Sequence, residues 1–217
     1  MSVFVVSAPS GAGKTTLNRR LIANHHNVEM SVSHTTRPPR EGEVNGSHYH
    51  FITASQFESM ANAKEFIEWA EVHGNLYGTS LRELNRIREL DKKPILEIDV
   101  QGWSYAKDRL PDAESIFILP PSLQSLWQRL ENRGSDSLEI RWKRLQNAYD
   151  EIKQADDYQY FIVNEDLDTA YRTLKGIIVD GKLNSKDSDS AKALCKELIK
   201  EFEEASWIEN LRKKMAS

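Results

Sequence analysis

Three stretches of this sequence combine residue types that suit phosphate and base chemistry. The first is Ala8-Pro9-Ser10-Gly11-Ala12-Gly13-Lys14-Thr15, which follows the short apolar run Val3 to Ser7. It keeps the GxxxxGK[ST] spacing of a phosphate-binding loop except at its first position, where alanine stands for glycine. In such a loop, backbone N–H groups turn inward onto phosphate oxygens while the following helix offers its positive end. Gly11 and Gly13 permit the close approach, Lys14 can bridge terminal phosphates, and Thr15 carries the hydroxyl that these loops place on magnesium. An ordinary glycine turn between strand and helix is the plainer alternative. The second stretch holds Arg37 and Arg40 around Pro38 and Pro39, with Tyr49 beyond a turn. Two guanidinium forks and a phenol suit a phosphate monoester dianion, and the prolines lower the entropy cost of holding them. A solvated basic turn would look the same. In the third, "ILEIDVQG", Glu97 and Asp99 stand two residues apart at a strand end. Alternation puts both on one face, near the carboxyl edge where α/β sheets take ligands, unless they merely cap the sheet.

The elements that must position these residues follow from the apolar pattern. With 217 residues, the chain has room for one α/β domain with a real core and a small lid or appendage. Its formal charge of −4 argues against general nucleic-acid binding, so an anionic ligand must be met by local Arg and Lys clusters. The single cysteine, Cys195, excludes an internal disulfide and fits a reducing cytosol, and no segment is apolar enough for long enough to span a membrane. Val3 to Ser7 reads as a buried strand rather than a signal peptide, and Lys14 to Asn24 as a helix. A strand fits Glu29 to Ser33. A shaped loop then enters a hairpin-like insert at Tyr49 to Ile52, and Phe57 and Met60 suggest a short helix. "EFIEWAEVHGNLYG" gives two strands around a His73-Gly74-Asn75 turn.

Downstream, Leu81, Leu84, Ile87 and Leu90 mark a helix face, and "PILEID", "SIFILP" and "YFIV" read as strands. Helices begin near Ser122 and Leu167, and a polar break at Gly134 to Ser137 separates the first of them from another. Strands alternating with helices imply a parallel sheet with right-handed crossovers. "NSKDSDS" reads as a linker, after which Leu194, Leu198, Phe202, Ile208 and Leu211 stripe one long helix. That stripe docks on its own domain or, alternatively, mediates a homo-oligomer. His48 and His50 would share a strand face, but two ligands without a third make a poor metal site.

Taken together, "APSGAGKTT", "SVSHTTRPPREGEVNGSHYHF", "EFIEWAEVHGNLYGTS", "EIDVQG", "ILPPS", "RLENRG" and "FIVNED" occur in an order and spacing that closely resemble the guanylate kinase family, over about residues 3–183. The resemblance implies an α/β fold: a P-loop NTPase-type parallel sheet core with helices on both faces, an inserted GMP-binding lobe of mixed strands and a helical lid. On that reading residues 1–34 and 80–183 form the core, with the lid at about 129–145 and the GMP-binding lobe at 35–79. Residues 184–217 are a linker and a C-terminal amphipathic helix.

The resemblance also implies roles. Ala8 to Thr16, that is Ala8, Pro9, Ser10, Gly11, Ala12, Gly13, Lys14, Thr15 and Thr16, would bind ATP together with Arg129, Arg133 and Asn164, the last beside the ATP base. Arg37, Arg40, Tyr49 and Tyr77 would hold the GMP phosphate, while Ser33, Glu68, Thr79 and Asp99 face the guanine. Glu97, which stands where many relatives have Asp, completes the GMP set on that resemblance. Lys14, Arg37, Arg133 and Arg144 would act on the moving phosphoryl group, with Mg2+ on Thr15 and, through water, on Asp99.

Glu68 has a logic of its own, since guanine's N1–H and exocyclic amine are adjacent donors that one carboxylate accepts. Strand alternation alone would make it an outward residue between Ile67 and Trp69. Arg141 and Lys143 read as solvated helix charges. The implied activity is transfer of the ATP γ-phosphate to GMP, and to dGMP, in purine nucleotide metabolism in the cytoplasm, with no nucleic-acid or membrane partner. A catalytically inactive guanylate-kinase-like protein-binding module, or a P-loop kinase for another phosphorylated acceptor, remain the alternatives.

Overall fold

The computed structural model describes residues 2–72, 74–132, 136–182 and 188–216. The chain divides into two compact units, Met1–Val5 with Ile22–Glu114 and Val6–Leu21 with Ser115–Ser217. It is an α/β structure. A five-stranded sheet has the order β2-β7-β1-β8-β9 and a four-stranded sheet the order β4-β3-β6-β5. Strand β1 (Phe4–Ser7) is buried throughout, as its unbroken apolar run requires. Helix α1 (Lys14–Asn24) keeps the expected bounds and buries Leu17, Asn18 and Leu21.

In the first unit, β2 (Val28–Met30) runs parallel to β7 (Lys93–Glu97), with Val28 opposite Lys93. The second strand is therefore shorter than Glu29 to Ser33. The reason is that the chain leaves this sheet so that β3 (His34–Thr35) can join the other one. There β3 lies parallel to β4 (His50–Phe51) and antiparallel to β6 (Asn75–Ser80), and β6 pairs antiparallel with β5 (Phe66–Val72). β5 and β6 thus form a hairpin, and the contact at Tyr49 to Ile52 is parallel. Of the turn joining the hairpin, His73 lies outside the described residues.

Phe57 of α2 (Ala54–Asn62) is fully buried and stacks on Phe66 at 4.3 Å between ring centroids. A reciprocal capping box of Thr53 and Gln56 fixes where that helix starts. In α3 (Leu81–Glu89) only Leu84 and Ile87 of the expected apolar face are buried. Leu81 in the first turn and Leu90 just past the end lie 39 % and 53 % exposed.

The "PILEID" strand ends at Glu97. Asp99 is already the N-cap of α4 (Val100–Ala106), so alternation does not carry Glu97 and Asp99 onto one strand face. His34 and His50 are register partners with ring centroids 4.6 Å apart, whereas His48 lies outside the strand and accepts from the Val44 N–H. Both histidines thus take packing and loop roles.

In the second unit, β8 (Glu114–Leu119) and β9 (Tyr160–Val163) are parallel. Their helices are α5 (Leu123–Glu131), capped by Ser122, α6 (Leu138–Lys153), capped by Ser137, and α7 (Leu167–Ile178), capped by Asp166. Each cap contributes about 1 kcal/mol and fixes the helix start.

The C-terminal segment is two helices rather than one, α8 (Ser188–Glu204) and α9 (Ser206–Ala216), parted at Ala205. Helix α8 begins inside the stretch read as a linker; residues 184–187 lie outside the described residues. Its stripe of Ala191, Cys195, Leu198 and Phe202 is buried against its own unit, where Phe202 stacks on Tyr149 at 4.3 Å. The Glu201 carboxylate accepts from the Leu123 and Gln124 N–H groups at the start of α5. Docking within the chain therefore accounts for this stripe.

Candidate active site

The loop between β1 and α1 belongs to the second unit. Gly11 and Gly13 adopt φ of 97° and 101°, conformations that favour glycine. Gly11 also has a packing reason, since a Cβ there would lie 3.0 Å from Leu126 and 3.1 Å from Leu130 of α5. Ala8 is not among the positive-φ residues, so a Cβ is tolerated where the pattern has its first glycine, and this one is buried.

The loop is tied to itself by the Ala12 N–H donating to the Pro9 carbonyl at 3.0 Å and by the Leu17 N–H donating to Gly13 at 3.1 Å. Lys14 is partly buried at the head of α1, with Thr15 and Thr16 exposed beside it. Asn164, just beyond β9, donates its side-chain N–H to the Ala12 carbonyl at 2.7 Å. Arg129 in turn donates to the Asn164 carbonyl at 2.6 Å, and burial holds its guanidinium below the usual arginine range. Arg144 is ion-paired with Asp136 at 3.1 Å, and Arg141 lies over the Trp127 ring while bonding Glu131 at 2.8 Å. Arg133 lies outside the described residues.

The second cluster sits in the first unit, on the four-stranded sheet and the loop leading into it. The Arg37 guanidinium stands over the Tyr49 ring at 5.6 Å, and the Tyr49 and Tyr77 rings are 5.9 Å apart. One terminal nitrogen of Arg37 donates to both Glu43 oxygens, at 2.8 and 2.9 Å, the other donates to the Pro38 carbonyl at 2.7 Å, and Glu43 also accepts from the Arg40 N–H at 2.7 Å. The hydrogen bond to Glu43 raises the Arg37 pKa, and the same bond lowers that of Glu43. Arg40 contributes that backbone N–H, and its side chain is exposed. Burial and the neighbouring Tyr77 push the Tyr49 phenol up, which keeps it a proton donor at neutral pH.

Glu68 reaches this region because β5 bulges. Phe66 pairs with Ser80 and Glu68 with Thr79, so Phe66 and Ile67 are both buried and Glu68 is turned off the simple alternation. Its carboxylate accepts from the Thr79 N–H at 3.0 Å, and the Thr79 and Ser33 hydroxyls are 3.2 Å apart. Burial raises the Glu68 pKa, with the Asp99 charge adding in the same direction. Gly102 lies beside both carboxylates, since a Cβ there would sit 3.3 Å from Asp99 and 3.5 Å from Glu68. Asp99 itself accepts from the Gly102 N–H at 2.7 Å, and Glu97 is partly buried at the end of β7.

Sequence reasoning missed two carboxylates that hold this cluster. Glu43 had a local signal, an acid three residues after Arg40 and six after Arg37. Glu83 had none, because it reads as an ordinary polar helix residue. It is 4 % exposed, accepts from the Val32 N–H at 3.0 Å, and thereby fixes the segment that carries Ser33. Its burial is offset by the hydrogen bonds of Arg86, which hold its carboxyl below the usual range.

Residues 1–181 match a family model described as guanylate kinase. The guanylate kinase of Neisseria meningitidis serogroup A is 50 % identical over 177 residues, covering 82 % of this chain and 86 % of that protein. That of Geobacter metallireducens is 46 % identical over 82 % of this chain and 87 % of its own length. Among solved structures, the guanylate kinase of Anaplasma phagocytophilum superposes with a TM-score of 0.64 at 32 % identity, covering 84 % of this chain and 87 % of that one. A match of this extent, carried by relatives about half identical over most of both chains, places the chain in the guanylate kinase family.

Proposed function

We infer that the protein catalyses transfer of the γ-phosphoryl group of ATP to GMP, giving ADP and GDP. The observation that carries this is the Glu68–Thr79–Ser33 array beside the Arg37–Tyr49–Tyr77 cluster, in a chain of this family with an intact Gly13-Lys14-Thr15 loop. The family supports this enzyme activity rather than the alternative of a protein-binding module.

Residue roles follow from the chemistry. Arg37 and Arg40 receive the GMP phosphate, with Tyr49 and Tyr77 donating from their phenols. Glu68, ionised, accepts the guanine N1–H and exocyclic amine, the Ser33 and Thr79 hydroxyls complete the base contacts, and Asp99 and Glu97 flank them. AMP would leave the Glu68 acceptor unpaired, because adenine carries no proton at N1. The loop amides of residues 8–16 and Lys14 hold the ATP phosphates. A GMP phosphate oxygen attacks the γ-phosphorus as the bond to the β–γ bridging oxygen breaks and ADP leaves. The Lys14 ammonium and the arginines 133 and 144 meet the charge that spreads over the transferring group. Residues 35–79 act as the acceptor lobe and the segment around 129–145 as the lid, closing to exclude water. We propose dGMP as a second acceptor.

Magnesium fits this donor chemistry. A magnesium ion would arrive on the nucleotide phosphates and keep several waters, so it asks for few protein ligands. Thr15, exposed in the first turn of α1, would hold the ion through its hydroxyl oxygen, and Asp99 would be the carboxylate to meet it through water. Bound there, the ion would neutralise β- and γ-phosphate charge. Among the described residues no helix is long and apolar enough to cross a membrane, and the cytoplasm is the compartment we propose.

The experiment is a coupled assay of ADP release with GMP, dGMP, AMP, CMP and UMP as acceptors. GMP-dependent turnover that exceeds AMP turnover by at least about a hundredfold is expected. Equal turnover of AMP, or none with GMP, refutes the reading.

A further inference from the structure

We infer that Asn164 is a positioning residue for the donor loop, aiming one backbone amide at the ATP phosphates. The inference rests on the reading of residues 8–16 as the ATP phosphate site. The Asn164 side-chain amide nitrogen donates one N–H to the Ala12 carbonyl at 2.7 Å. Only a donor can face a carbonyl, so this bond also fixes which way the amide group points.

Ala12 is fully buried and Asn164 is 5 % exposed, so water does not substitute for this bond. The peptide after Ala12 is trans and planar, which makes its carbonyl and the Gly13 N–H point in opposite directions. Holding the Ala12 oxygen on Asn164 therefore turns the Gly13 N–H away from Asn164, towards the side of the loop that takes phosphate.

Three neighbouring features keep Asn164 in place for this task. Its own N–H donates to the Leu119 carbonyl at 2.8 Å, and its carbonyl accepts from Arg129 at 2.6 Å. A Cβ at Gly13 would overlap the Asn164 amide nitrogen, so the second glycine of the loop makes room for this contact as well as for its own positive φ. The brace thus runs from the last turn of α5 through the end of β9 to the loop, over residues remote in sequence.

The test uses inorganic tripolyphosphate with Mg2+, a probe that has phosphates and no base. In the full-length chain, Asn164→Ala and the isosteric Asn164→Asp are titrated with it by calorimetry, with GMP binding as the check on folding. KM is then measured for ATP and for GTP as alternative donors. The expected result is a loss of tripolyphosphate affinity of about tenfold in the alanine variant, the worth of one hydrogen bond to a buried group, and more in the aspartate variant. KM for ATP should rise with it while GMP affinity stays unchanged.

Unchanged tripolyphosphate affinity together with a shifted ATP-to-GTP preference would make Asn164 a base contact and overturn the inference. In the wild-type protein, which needs no variant to fold, the Gly13 amide proton should move downfield on tripolyphosphate binding. A Gly13 resonance that does not move overturns it equally. Wild-type protein that binds no tripolyphosphate at all would remove the donor-loop reading itself.

Discussion

On the proposed reading, the donor loop and the acceptor cluster recognise the same chemical group by different means. On the donor side, the work falls to main-chain amides within one turn, residues 8–16, with the Lys14 ammonium as a single charge. The side chains around it serve to shape the backbone: Gly11 gives way to Leu126 and Leu130, and Asn164 holds the Ala12 carbonyl. On the acceptor side the contacts come from side chains gathered between positions 33 and 99, several of them ionisable and one already paired with a carboxylate of its own. Backbone recognition tolerates a change such as alanine at position 8, whereas side-chain recognition depends on register and on protonation state.

Mutations can pull the two sides apart. The largest effect is expected for Lys14→Ala, which should lower kcat by about a thousandfold, the loss of a charge-stabilising group at the reacting phosphate. GMP binding, read by calorimetry, should not change. Next comes Glu68→Gln, which should cost about a hundredfold in kcat/KM for GMP by facing a donor against guanine's donors. Tripolyphosphate binding should be retained.

Because burial raises the Glu68 pKa, its ionised form is a cost to the folded chain at neutral pH. The glutamine variant should therefore unfold at an equal or higher temperature, and a lower one would contradict that account. For the same reason wild-type GMP affinity should decline as pH falls through the raised Glu68 pKa.

Arg37→Lys follows, with a rise of about tenfold in KM for GMP and little change in KM for ATP, since an ammonium cannot keep the fork that Arg37 shares between Glu43 and an incoming phosphate.

The smallest effect concerns the scaffold of the acceptor side. Burial first, then His50, push the His34 pKa down to about 4 from 6.5. A base with a lowered folded pKa contributes stability that is complete above about pH 6.5 and is lost as pH falls towards about 4. His34 packs against His50 and Phe66, with Glu83 and Arg82 as its charged neighbours. The urea midpoint should drop over that window in the wild type and drop less in His34→Asn.

Much of the donor side was legible beforehand, because a strand, a glycine turn and a helix are adjacent in sequence and each obeys local rules. Helix α1 has the bounds its periodicity gives, and the caps Ser122 and Ser137 start the helices that the pattern suggested. The acceptor side was less so. The arginine proposed to take phosphate was visible as an Arg-Pro-Pro-Arg run, but the Glu43 bond that engages Arg37 is a property of the folded loop. The bulge that re-aims Glu68 leaves no mark in an alternating pattern. Asp99 looked like a strand residue and is a helix cap, and the C-terminal stripe looked continuous although Ala205 divides it.

The amino-acid order by itself determined the glycine-rich loop, the sequence of strands and helices and the residue types proposed to meet the two nucleotides, since those depend on neighbours within a turn or two. Only the tertiary structure decided which carboxylates are buried, which carbonyl Asn164 holds and which strand edge His34 joins. Those outcomes turn on groups tens to more than a hundred positions apart, as Ala12 is from Asn164. Burial and hydrogen-bond satisfaction are properties of the packed chain, where a polar group must find its partner wherever the fold has left one.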